Sequence, residues 1–218
     1  MRKLKKMSIA IALLMVTFAV TSCSKEKTIT PKATPEETAK IYLDVLLKND
    51  ASNIDKLKLS ADDSDQIRAE IEKAFLAGVS DSNDKDIPIS EETKNNFVKD
   101  FITCLSKVEY EVAPISSEKD NARVEIKVKA FDFKKIGANS VNFAKEEYLA
   151  NQSMTDQQLT ELVLKKIGSD LANGTLSATP ISIEFYLTLE DDVWVPLNSD
   201  VQNLMETIFP VEDLYTAL

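Results

Sequence analysis

The sequence predicts an α+β fold: N-terminal helices packed on a curved antiparallel sheet of about four strands, with a helical insertion between strands two and three and a C-terminal helix. Two observations predict it. Apolar residues recur at helical spacing through residues 34–105, 139–173 and 201–209. Between these stretches, residues 108–128 and 181–194 alternate apolar and polar residues, the period of a half-buried strand.

Thr34-Pro35-Glu36-Glu37 announces the first helix, with a capping Thr, Pro at the first helical position and Glu where a capping box needs it. Ile41, Tyr42, Val45 and Leu46 form its stripe, and it should end near Asn49. A second helix is expected from Ser64 to Ala77, with Ile67, Ile71, Ala74 and Phe75 inward and Gly78 at its end. Asp62, Asp63, Ser64 and Asp65 supply its cap and first-turn acids, favourable against the helix dipole. A third helix begins after Ser90 and carries Phe97, Phe101, Cys104 and Leu105 on one face.

Val108, Tyr110 and Val112 then alternate with Glu109 and Glu111. A turn over residues 116–121 leads to Ala122, Val124, Ile126 and Val128, alternating with Arg123, Glu125, Lys127 and Lys129. This reads as an antiparallel hairpin with one core face and one charged face. The apolar phase flips at Ala130-Phe131, and a β-bulge there would return Phe131 and Phe133 to the core and curve the sheet. Helices follow over 139–151 and 155–173; Thr155 and Gln158 make a capping box, Leu159, Leu162, Val163, Ile167 and Leu171 the stripe, and Asn173-Gly174 the stop. Ile181, Ile183, Phe185, Leu187 and Leu189 mark a strand, Glu190-Asp191-Asp192 a hairpin turn, and Trp194 a short returning strand. Val201, Leu204, Met205, Ile208 and Phe209 form a last helix, ended by Pro210.

The N-terminus carries an address. Arg2, Lys3, Lys5 and Lys6 precede an uncharged apolar run of 13 residues, Ser8–Val20. A helix needs roughly 20 residues to cross a bilayer, so this run fits a signal-peptide core better than a span. Val20-Thr21-Ser22-Cys23 follows and resembles the bacterial lipobox. That resemblance implies diacylglyceryl transfer to the Cys23 sulfur and cleavage before it; an uncleaved anchor and ordinary signal cleavage are the alternatives. The expected organisation is therefore a removed signal peptide, 1–22, a lipidated Cys23 with a polar tether to residue 33, and one α+β domain over 34–218. The expected location is the extracytoplasmic side of a bacterial membrane, with two acyl chains giving stable anchoring.

Composition excludes several functions. At 44% hydrophobic, the chain has enough apolar material for a core. Its net charge is −10, and −14 without residues 1–22, which hold four basic residues and no acid. Such a surface argues against nucleic acid and gives no attraction to anionic lipid. There is no histidine, which removes Ser-His and Cys-His nucleophile systems and the commonest zinc ligands. Four glycines cannot build a Gly-rich phosphate loop. No cofactor, no metal and no catalytic residue is expected.

The remaining constellations are weak. Asp81, Asn83 and Glu92 match calcium-loop positions, but Lys85 and Asp86 stand where a ligand and a Gly belong. Cys104 lies at helical spacing among apolar residues and reads as core. Glu184 lies on an outward strand face, and one carboxylate among 36 acids specifies no glycosidase pair. Phe131, Phe133, Phe185 and Trp194 are the candidate lining of an apolar pocket on the sheet, with plain core as the alternative.

The opening helix TPEETAKIYLDVLLKND, with Glu37, Ala39, Tyr42, Leu43 and Lys48, resembles that of small bacterial lipoproteins carrying uncharacterised cystatin-like or nuclear-transport-factor-2-like domains. The element order resembles theirs too, apart from the helical insertion over 139–173. The resemblance implies no particular activity, since such folds host many. The expected function is a surface-anchored, non-enzymatic binding or interaction domain, with an unknown protein or small-molecule partner beside the membrane itself. The alternatives are a hydrophobic-ligand carrier and an enzyme using Asp/Glu acid–base chemistry.

Overall fold

The computed structural model describes residues 30–81 and 88–217. The expected signal peptide, Cys23 and most of the expected tether lie outside the described residues, as do Asn83, Lys85 and Asp86 of the calcium-like loop. Helix α1 (Pro35–Leu43) opens on the expected capping box between Thr34 and Glu37. Its helical path continues as a π turn over Asp44–Lys48, ended by Asn49 in the left-handed conformation. A short 3-10 turn, Ile54–Leu57, then leads to α2 (Ala61–Asp81).

Helix α2 departs from expectation at both ends. It starts before Ser64 and runs through Gly78. Ser60 replaces the acidic run as the cap: its hydroxyl accepts from the Asp63 N–H, and the Asp63 carboxylate accepts from the Ser60 N–H at 2.7 Å. A capping box three residues upstream competes better for the first orphan amides than acids inside the first turn do. Helix α3 (Glu91–Leu105) is capped by Ser90 and buries Phe97, Phe101, Cys104 and Leu105, as its stripe predicts.

Strands β1 (Tyr110–Glu118), β2 (Asn121–Val128), β3 (Ile181–Glu190) and β4 (Val193–Pro196) form an antiparallel sheet in sequence order. The β1–β2 turn is tighter than expected, because β1 continues to Glu118. The bulge is also elsewhere. Register slips between Pro114 and Ser116 in β1, with Ile115 as the extra residue. Pro114 cannot donate to a ladder, and an edge strand is where that is tolerated. At Ala130-Phe131 the chain leaves the sheet: Phe131 makes an isolated bridge to Leu176, and Phe133 starts α4 (Phe133–Ala150), capped by Asp132. The phase flip therefore marks a strand end and a helix start, six residues earlier than expected.

Helix α5 (Asp156–Ala172) carries the predicted Thr155–Gln158 capping box, and Gly174 follows at φ 73°. A Cβ there would lie 3.2 Å from the Lys107 side chain, so glycine serves both the turn and the close approach. Helix α6 (Asn198–Ile208) buries Val201, Leu204, Met205 and Ile208, and a short α7 (Glu212–Ala217) that the sequence pattern did not indicate follows Pro210. The main core joins Val124, Ile126 and Val128 of β2 and Ile183, Phe185 and Leu187 of β3 to side chains of α1, α3, α5 and α6. Ile41, Val45, Ile54, Leu57 and Val193 form a smaller cluster under the 3-10 turn. The α+β architecture, the insertion between strands two and three and the C-terminal helix are thus as predicted.

Candidate functional site

Alternation along β3 sorts its side chains by face. Ile183, Phe185 and Leu187 are buried, whereas Ser182, Glu184 and Tyr186 are exposed. Register carries that sorting across the sheet, because residues directly opposite share a face. Tyr186 faces Arg123 on β2, and Arg123 faces Ser116 on β1, beside the bulged Ile115. On the other side the Leu197 N–H donates to the Tyr186 carbonyl at 3.0 Å, placing Leu197 opposite Tyr186. One row of side chains therefore crosses β1, β2 and β3 and continues onto Leu197, just past the end of β4, on the open face.

The row has apolar ends and a charged centre. Ile115, Tyr186 and Leu197 are 43%, 42% and 41% exposed, high for large apolar side chains. The Arg123 guanidinium lies 6.0 Å from the Tyr186 ring centroid, donates through Nε to the Ser116 hydroxyl at 3.2 Å, and pairs with Glu184 at 3.5 Å. The Tyr186 hydroxyl donates to the same Glu184 carboxylate at 3.1 Å, and the Tyr186 N–H donates to Asp200 at 2.8 Å. The contacts to Ser116 and Glu184 hold the ring and the guanidinium in place, and side chains ordered in this way would cost less to immobilise in an interface. Tyrosine and arginine are the side chains enriched in binding hot spots. The arrangement suits recognition by its chemistry, and the side chains of Ile115, Arg123, Tyr186 and Leu197 contain no nucleophile paired with a base.

The sequence-derived site residues sit elsewhere. Phe131, Phe133, Phe185 and Trp194 are at most 4% exposed and belong to the main core. Phe131 stacks on Phe209 at 5.3 Å. The buried Trp194 indole Nε1 has no protein partner. Cys104 is fully buried, and burial with nearby Asp100 pushes its thiol far above the usual range, opposite to an activated nucleophile. Cys23 lies outside the described residues. Glu184 is outward, as alternation predicts, and its partners are Arg123 and Tyr186 rather than a second acid.

A second polar cluster pins α1 to β1. The π turn presents Asp44 to the Tyr110 hydroxyl, which donates to it, and to Lys40 at 2.6 Å. Lys48 Nζ donates to the Ser106 and Val108 carbonyls at 2.6 and 2.5 Å and lies 5.7 Å from the Tyr110 ring centroid. Burial lowers the Lys48 pKa; burial and the Asp44 carboxylate raise that of Tyr110. Each group is occupied by another, so the cluster reads as a clasp. Among the described residues no three His, Cys, Asp or Glu side chains are placed to hold a metal ion. Among those residues, too, no helix is long and apolar enough to cross a membrane.

Alternation alone indicated that Arg123 and Tyr186 point outward. The signal not followed was an aromatic in the polar phase of a strand, where Glu184 and Thr188 flank it. Leu197 carried no pattern, since it lies between strand and helix.

No curated protein matches the sequence. The fold is similar to the crystal structure of ycdA of Bacillus subtilis, a protein assigned as a lipoprotein, with a TM-score of 0.60 and 19% identity. The match covers 82% of this chain and 57% of that one, so the chain spans little more than half of that protein. At that identity the likeness shows a shared fold. Residues 25–209 match the family described as a domain of unknown function, DUF5105. That span is most of the sequence, and the chain belongs to the DUF5105 family.

Proposed function

We propose that this protein is a lipoprotein, held by lipid on Cys23 at the extracytoplasmic side of a bacterial membrane, whose domain binds a partner without catalysing a reaction. The observation that carries the anchor is Val20-Thr21-Ser22-Cys23 at the end of a short apolar run. The fold shared with ycdA, itself assigned as a lipoprotein, supports it. On this reading residues 1–22 are removed, 23–33 tether, and 34–218 form the domain. Helices on one face of a four-stranded meander are also what a cystatin-like or nuclear-transport-factor-2-like domain would need.

The binding surface is the open row of Ile115, Arg123, Tyr186 and Leu197. Burial of Phe131, Phe133, Phe185 and Trp194 in the core favours this face over an aromatic-lined pocket. The anchor is tested by metabolic labelling with radioactive palmitate: the wild type takes up label, and Cys23→Ala does not. Continued labelling of Cys23→Ala excludes the anchor. The surface is tested by a photo-crosslinking residue at Tyr186 on intact cells, compared with one at Asn95 on the exposed side of α3. Specific adducts at 186 alone support the row; adducts at 95 alone move the surface to the helices.

A further inference from the structure

The domain is fastened at one end of its sheet, and the anchor is close by in sequence. The Lys32 N–H donates to the Asp192 carbonyl at 2.9 Å, and Lys32 Nζ donates to the Asp55 carbonyl at 3.3 Å. Ala33 is buried, and Thr34 caps α1. Asp192 in turn pairs with Lys58, as does Asp191 at 3.7 Å. The chain is thus tied to the β3–β4 turn by residue 32. The β1–β2 turn is at the same end, since the Leu189 N–H donates to the Asp120 carbonyl at 2.9 Å.

From this end α1 runs toward the other, where Lys48 meets the Ser106 and Val108 carbonyls just before β1 begins. The end of β2, the start of β3 and the exposed loop at Thr179 lie there too. Only nine residue-to-residue steps separate Cys23 from Lys32. Fully extended, they reach about 30 Å. The eight residues of β2 span about 25 Å. The tether is therefore about as long as the sheet is tall.

We infer that the two hairpin turns, 119–120 and 191–192, form the bilayer-facing end of the domain, and that the end carrying Thr179 points away from the membrane. The inference rests on the lipid anchor proposed above. The surface it assigns faces lipid headgroups through tethering, because the acidic chain gains no attraction from an anionic leaflet.

The test uses the full lipidated chain in phosphatidylcholine–phosphatidylglycerol vesicles with an acceptor dye on the headgroups. A donor is attached at Lys119→Cys in one protein and at Thr179→Cys in another; Cys104 is buried and does not compete. The expected transfer is higher at 119 than at 179 by about twofold or more, from the roughly 25 Å between the two ends. High salt leaves the difference unchanged, and an inserted Gly/Ser stretch of about 20 residues after Thr30 reduces it. Equal or reversed transfer from protein that floats with vesicles overturns the orientation while leaving the anchor intact. Protein that fails to float overturns the anchor and the orientation together.

Discussion

Phe185 and Tyr186 are neighbours on one strand with opposite lives. Phe185 is fully buried against the helices; Tyr186 is 42% exposed on a face that, among the described residues, no helix covers. The strand geometry that turns one in turns the other out. The covered face holds the fold together, and the open face is free to vary in chemistry. The largest effect should follow from breaking the covered side. Phe185→Ala should lose about 3–5 kcal/mol, transfer and cavity terms together, measured by urea unfolding. Tyr186→Ala should lose under about 1 kcal/mol. Equal losses would show that the open face is part of the core after all.

The covered side also contains a phenol. Tyr42 of α1 packs against the main core, and burial pushes its pKa up to about 12. In the unfolded chain it titrates near 10. The folded form holds its proton more tightly, so this contribution is complete below pH 10 and is lost as pH rises from 10 to 12. The loss is at most about 2 kcal/mol, because the side chain is only partly hidden from water. Stability measured by denaturant titration at pH 9, 10.5 and 12 should fall across that window, and Tyr42→Phe should flatten the fall. An unchanged profile in Tyr42→Phe would place the alkaline loss in other groups.

The two faces were unequally legible in the sequence. The covered face was readable because burial imposes a period: Ile183, Phe185 and Leu187 alternate, and Phe97, Phe101 and Leu105 recur at helical spacing. Caps were readable where a side chain is uniquely suited, as at Thr34, Ser90 and Thr155. The start of α2 was not, because five of the residues 60–65 are Ser or Asp and all of them cap well. The bulge was misplaced for a related reason. A phase flip is the same signal whether the strand bulges or ends, and only the contacts of Phe131 with Leu176 and Ile208 decide it. The open row was least legible. Its members come from three strands and a linker, and register, which no local pattern encodes, brings them together.

The smallest expected effect sharpens the comparison most. Arg123 lies over Tyr186 and pairs with Glu184, all partly exposed, so the energy of each contact is screened by water. A double-mutant cycle of Arg123→Ala and Tyr186→Ala should give a coupling of about 0.5 kcal/mol. Raising the salt concentration should weaken the Arg123–Glu184 coupling further, as screening requires. With the photo-crosslinking residue moved to Leu197, the same two substitutions should abolish crosslinking to a partner through the open face. A side-chain pair that matters little to folding and much to capture is what separates a surface kept for binding from one that is merely solvated. A coupling above about 2 kcal/mol would instead make the row a structural brace, and the open face would lose its claim to be the binding surface.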